Sequence, residues 1–321
     1  MTPLNIVKKS GLHLTLFCSL LVMSTFLITG TRASTRSTSL GSIHHVFLIV
    51  FENHSWSDIF GSPSAPYING TVLPQSSYAT NYFDVHNGHP SLPAYVELEA
   101  GTTFGIANDG SPSQDHQATT AHLTTQLMTA GLTWKAYLQG IPGTACPLVQ
   151  VNQYVPRHNA TVYFDDNTGK NNAKSAYCIA HERPIAQLST DLSKNTVPNY
   201  SYIIPDLCHN MHTACPKYGS DLIKTGDTWL SQELPLILNS PTYKADGAVF
   251  ITWDEGTDAP NGADSDGPVG MILLSPFAKG SGYSNALAYT HASTLRTIEG
   301  IFNLPLLGDA QTATDLSDLF Q

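Results

Sequence analysis

Charged side chains are scarce in this chain. They make up 12% of the 321 residues, and only 15 of them are Lys or Arg. Against 25 Asp and Glu the formal net charge is −10. That balance excludes a protein that grips duplex nucleic acid by neutralising phosphates. Cysteine is sparse, five in all, and no two stand at the close spacing of a zinc-binding pair. From Ile43 onward there is no repeat, charge run or low-complexity stretch. Apolar residues are not lacking. At 41% they exclude a largely disordered chain.

The first residues have a pattern of their own. Lys8 and Lys9 precede a stretch, Ser10 to Thr31, without any charge, and Leu12 to Ile28 is mostly apolar. Thr31-Arg32-Ala33-Ser34 then offers small residues for cleavage. This layout predicts a secretory signal peptide over residues 1–33. The alternative is an uncleaved anchor, since the apolar core is close to the ~17-residue lower limit for spanning. Cleavage would remove Lys8, Lys9 and Arg32, leaving 12 basic against 25 acidic residues, or −13. A secreted, periplasmic or cell-surface protein without a stable membrane anchor is expected. Four cysteines remain: Cys146, Cys178, Cys208 and Cys215. In an oxidising compartment they predict two disulfides, with nearer neighbours paired as Cys146–Cys178 and Cys208–Cys215.

Residues 34–42, rich in Ser and Thr, read as a linker, and residues 43–321 as one domain. Four apolar runs predict buried strands: Val46–Phe51, Tyr202–Ile204, Ala248–Trp253 and Val269–Leu274. Their unbroken apolarity implies cover on both faces. Helical spacing marks Thr119–Ala130, Asp227–Asn239 and His291–Phe302. Alternating strands and helices predict a three-layer α/β/α sandwich around a mainly parallel sheet. Sites in such folds lie beyond the carboxyl ends of the strands.

The residues beyond those ends carry chemistry. Glu52-Asn53 follows the first strand, Asp254-Glu255 follows the third, and Pro205-Asp206-Leu207-Cys208-His209-Asn210-Met211-His212 follows the second. Ser91 stands at an expected helix start, where Pro90 and Pro93 are tolerated and backbone N–H groups favour an anion. Taken singly, each is the stuff of solvated loops and helix caps. Taken together they suit one divalent metal ion held by hard oxygen donors beside a hydroxyl nucleophile.

At these segments the chain resembles the phosphoesterase family of bacterial phospholipases C and secreted acid phosphatases, within the alkaline phosphatase superfamily. The resemblance runs from about His44 to about Phe302 and is carried by ENHSWSDIFG (Glu52–Gly61), HPSLPAY (His89–Tyr95), WKAYLQG (Trp134–Gly140), PDLCHNMH (Pro205–His212), GDTWL (Gly226–Leu230), ITWDEG (Ile251–Gly256) and THASTLRTIE (Thr290–Glu299). It implies an alkaline phosphatase-like fold. It also implies a metal held by Glu52, Asn53, Ser91, Asp254 and Glu255, with Ser91 as nucleophile. His209 and His212 match the family's His-rich segment and are expected to be catalytic. His89 and His291 match further family histidines and are expected to touch substrate. Two departures stand out. Ala94 follows Pro93 where the family commonly has Asn, and Asn210 stands where the commoner spelling has Asp.

The expected function is a secreted metal-dependent acid phosphatase that hydrolyses phosphomonoesters through a phosphoseryl intermediate. The alternative is a phosphodiesterase of the phospholipase C type, which the same core also serves. Oxygen donors favour Ca, Mg or Mn, and the nearby histidines leave Zn open. A serine esterase is disfavoured because Ser91 lacks the Gly-x-Ser-x-Gly elbow. A sulfatase is disfavoured because Ser91-Leu92-Pro93-Ala94-Tyr95 lacks the required Arg. An exported binding module that has lost activity is a weaker reading, since every expected ligand position bears a competent residue. The expected partner is a phosphate ester, and the oligomeric state is left open.

Overall fold

The apolar run expected to be a buried strand is His45–Phe51 (β1), and every residue after His45 is buried. The computed structural model describes residues 40–84, 89–257 and 267–321. The expected signal peptide, most of the linker and residues 85–88 lie outside the described residues. The other strands are Ser77–Ala79 (β2), Tyr82–Phe83 (β3), Trp134–Leu138 (β4), Glu182–Pro184 (β5), Tyr200–Ile204 (β6), Gly247–Trp253 (β7), Met271–Leu274 (β8), Tyr283–Asn285 (β9) and Tyr289–Thr290 (β10).

Eight strands form one sheet in the order β5-β4-β6-β1-β7-β8-β2-β9. The central strands β4, β6, β1 and β7 run parallel. The Val269–Leu274 run forms β8 over its last four residues and pairs antiparallel with both β7 and β2. Strands β6 and β7 are buried throughout, as unbroken apolarity requires. Helices Ser91–Ala100, Leu123–Thr129 and His291–Phe302 pack together in one group, and Ala186–Ser193, Leu222–Leu238 and Pro241–Asp246 in another. No helix among the described residues is long and apolar enough to cross a membrane. Both expected cysteine pairs are bonded, with Cα–Cα distances of 5.3 Å for Cys146–Cys178 and 5.5 Å for Cys208–Cys215.

Two helices differ in extent from the periodicity. The stretch expected over Thr119–Ala130 is helical only from Leu123 to Thr129, because His122 is extended and caps it. The stretch expected from Asp227 starts at Leu222, where the Asp221 carboxylate accepts the Lys224 N–H.

His122 explains its own departure from helix. Its ring is fully buried between Glu99, on the helix that starts at Ser91, and Asp166, at 3.0 Å from each. Burial alone would lower its pKa. The hydrogen bonds to Asp166 and Glu99 outweigh that and raise it to about 9. Burial likewise opposes ionisation of Asp166, but hydrogen bonds from His122 and Thr125 hold that carboxyl below its ordinary value. The sign follows from linkage. The His122 contribution is complete below its ordinary 6.5 and is lost as pH rises through about 9. The Asp166 contribution is present above its ordinary 3.8 and is lost as pH falls through its lowered value. His122→Ala is therefore expected to destabilise the protein by about 3 kcal/mol at pH 6. Urea unfolding of both proteins should show that gap narrowing towards pH 9.5. A gap constant with pH would contradict the charged pairing.

Candidate active site

Strands β1 and β7 lie side by side with Phe51 opposite Trp253. Each ends there, so Glu52-Asn53 and Asp254-Glu255 leave the sheet as neighbours. Asn53 turns the chain with φ 51°, a left-handed conformation that Asn accepts more readily than most residues. Its backbone N–H then donates to Asp254 Oδ1 at 3.1 Å, and its side-chain amide donates to Glu255 Oε1 at 2.7 Å.

Ser91 is the first residue of the Ser91–Ala100 helix. Its hydroxyl lies 3.1 Å from Glu255 Oε1 and 3.3 Å from Glu52 Oε2. The Leu92 N–H, one of the groups expected to favour an anion, instead donates to Asp109 Oδ1 at 3.0 Å. One turn along the same helix, the Tyr95 hydroxyl donates to Glu52 Oε1 at 2.6 Å.

The site's carboxylates are Glu52, Asp254 and Glu255. All three are buried, with ligand oxygens within 4.8 Å of one another. Burial raises each pKa. For Glu52 the Glu255 charge adds to it, and for Asp254 the charges of Glu52 and Glu255 do. His89, ion-paired with Glu255, partly offsets the rise there. Asn53 Oδ1, Asp254 Oδ2 and Glu255 Oε2 are buried without a hydrogen-bond partner among the described residues. Unpaired oxygens and crowded negative charge are both relieved by one cation, so the donor set fits a hard divalent metal.

An open cavity of about 440 Å³ leads to this cluster, lined by Asn53, His89, Ser91, Asp109, His212 and Glu255 among others. The structure therefore brings Glu52, Asn53, Ser91, Asp254, Glu255, His89 and His212 together. It sets two expected residues apart. His209 bonds Asp206 through Nδ1 at 2.8 Å, packs on Tyr218 and lines a separate cavity of about 380 Å³. The physical reason is local: Met211 is buried with φ 77°, so the chain reverses between the two histidines and they face different spaces. Gly226 makes room for that turn, since a Cβ there would meet Met211 Cγ at 2.5 Å. His291 is fully buried, with Nε2 3.1 Å from the Trp253 carbonyl oxygen and its ring against Tyr82. Burial lowers its pKa to about 4. It holds the end of β7 rather than facing the cavity.

His158, Tyr95 and Asp109 escaped the sequence reading as site residues. His158 is fully buried, with Nε2 3.1 Å from Glu52 Oε1 and its ring stacked on Tyr95 at 5.4 Å. It sits in a short 3₁₀ turn, Pro156–His158, with no strand before it to mark it. Tyr95 closes the His89–Tyr95 segment one turn after Ser91, and helical spacing is the signal available for it. Burial, and then the Arg157 charge, hold both His158 and His212 below the usual histidine range.

The family model described as the Phosphoesterase family matches residues 77–305. The chain is 25% identical over 284 residues to a phosphatidylinositol-3-phosphatase of Mycobacterium tuberculosis, covering 88% of this chain and 85% of that protein. It is 28% identical over 239 residues to a phosphate-repressible acid phosphatase of Penicillium chrysogenum, covering 71% of this chain and 52% of the other. The chain thus matches about half the length of the fungal relative. Among solved structures, a protein in the alkaline phosphatase superfamily from Vibrio parahaemolyticus superposes with a TM-score of 0.54 at 9% identity, over 87% of this chain and 72% of that one. That likeness shows the fold.

Proposed function

Because this chain belongs to the Phosphoesterase family, we propose that it is an exported, metal-dependent phosphatase that hydrolyses phosphomonoesters through a phosphoseryl intermediate on Ser91. Phosphoric ester hydrolysis follows from the family, and the names of the relatives support monoesters. The observation that carries the mechanism is the Ser91 hydroxyl, within hydrogen-bond reach of Glu52 and Glu255 beside three unpartnered buried oxygens.

Glu52, Asn53, Asp254, Glu255 and the Ser91 oxygen would hold the metal. When bound, a hard divalent cation lowers the hydroxyl pKa and offsets the charge of the phosphate. Glu255, 3.1 Å from Ser91 Oγ, accepts the hydroxyl proton. Ser91 Oγ attacks phosphorus, the Oγ–P bond forms and the bond to the leaving alcohol oxygen breaks. His212, which lines the cavity, donates a proton to that oxygen. Water then displaces Ser91 and phosphate leaves. His89, held by Glu255 through Nδ1, lines the cavity beside Ser91, where its ring meets the phosphate. An acidic working range suits a donor that burial keeps neutral until the medium is acidic. Export is supported by the two disulfides and by the pattern of the first 33 residues.

A substrate panel tests the ester class. Soluble or head-group monoesters should show a higher kcat/KM than phosphatidylcholine, in line with the relatives named as phosphatases. A higher kcat/KM for the diester would favour a phospholipase C-type enzyme instead.

A further inference from the structure

The buried His158 ring has a proton position that its neighbours dictate. Asn210 Oδ1 accepts the His212 backbone N–H at 3.0 Å, which fixes the amide so that Nδ2 is the atom 3.2 Å from His158 Nδ1. An amide nitrogen offers only hydrogens. Nδ1 must therefore present its lone pair, and an imidazolium, with a proton on both nitrogens, does not fit. The proton of the neutral ring sits on Nε2.

Nε2 is 3.1 Å from Glu52 Oε1, the oxygen that also accepts the Tyr95 hydroxyl. The approach is off the N–H axis, so the contact is electrostatic more than directional. A nitrogen that carries a proton cannot ligate a metal. This matters because Glu52, His158 and His212 bring potential ligand atoms within 4.8 Å of one another, close enough for a second, imidazole-rich cation site.

We infer that Asn210 holds the His158 proton on Nε2, facing Glu52, so that His158 by electrostatic contact and Tyr95 by a hydrogen bond engage Oε1, leave Oε2 for the cation and Ser91, and keep the second cation site closed. His158 and Asn210 are then positioning residues that act through Glu52. The inference rests on Glu52 being a metal ligand.

Asn210→Asp tests it at constant shape. A carboxylate accepts a proton from Nδ1, which moves the lone pair to Nε2. Nitrogen-15 spectra of the metal-free protein, with the His158 signals identified by their loss in His158→Gln, should show His158 with protonated Nε2 and bare Nδ1 in the wild type, and the reverse in N210D. Calorimetric titration with zinc should give one equivalent bound in the wild type and two in N210D. Affinity for magnesium or manganese at the first site should fall about 10–100-fold, the usual cost of losing an outer partner of a ligand. His158→Gln, which keeps an N–H donor, should retain more of that affinity than His158→Phe, which keeps only the stacking on Tyr95. This comparison also guards against N210D failing to fold. His158 protonated on Nδ1 in the wild type, or two zinc equivalents in the wild type, overturns the inference. If the wild type binds no cation but shows the stated tautomer, the donor assignment stands and the reading of Glu52 as a metal ligand fails.

Discussion

Ser91→Ala is expected to cut kcat/KM for a phosphomonoester by at least about 10³-fold, because it removes the only atom proposed to form the bond to phosphorus. The fold should survive. Ser91 is buried at the first position of its helix, and among the described residues its hydroxyl bonds two carboxylates and no backbone group. Circular dichroism and the melting temperature should therefore change little. Steady-state kinetics with a chromogenic monoester reads the effect. Near-normal activity in the variant would mean that water, not Ser91, attacks phosphorus.

Removal of the proposed metal is expected to have the other large effect. Chelation is expected to reduce activity to background and to lower the melting temperature, and adding back single ions should restore both. The stability change follows from the buried trio of Glu52, Asp254 and Glu255, whose mutual repulsion and unpaired oxygens remain once the cation is gone. A ligand that binds only the folded state at 100 times its Kd adds about 2.7 kcal/mol. Magnesium, manganese or calcium should restore more activity than zinc, because the donors are oxygens. Full activity and an unchanged melting temperature after exhaustive chelation would exclude a metal-held nucleophile.

The carboxylate cluster was legible in the sequence because two strand ends stand next to each other in the sheet. Glu52-Asn53 and Asp254-Glu255 each follow an unbroken apolar run, and the pairing of Phe51 with Trp253 turns two distant dipeptides into one cluster. Of the central strands, β1, β6 and β7 were legible for the same reason, while β4, which carries Lys135 inside it, was not. Strands β2 and β9 were not, since three-residue segments leave almost no pattern. The antiparallel course of β8 was hidden because a buried run reads the same in either direction.

The histidines were harder. His209 and His212 share a motif, but they face different spaces because the residue between them and the disulfide loop around them set the chain direction, not a helical repeat. His158 arrives at Glu52 from a loop with no preceding strand. Its role depends on which atom of Asn210 faces it, a matter of hydrogen-bond geometry that no spacing encodes. His291 shows the converse. Its motif was visible, while its place behind β7 depends on packing against Tyr82 and the Trp253 carbonyl.

The most direct measurement is acid-quenched turnover of an isotopically labelled phosphomonoester, followed by peptide mapping of the whole metal-loaded protein. A covalent route predicts labelled phosphate on the peptide that contains Ser91, appearing within the first turnovers and lost when unlabelled substrate is added as a chase. Label on another residue, or sustained hydrolysis with no labelled peptide at any quench time, would contradict the phosphoseryl mechanism.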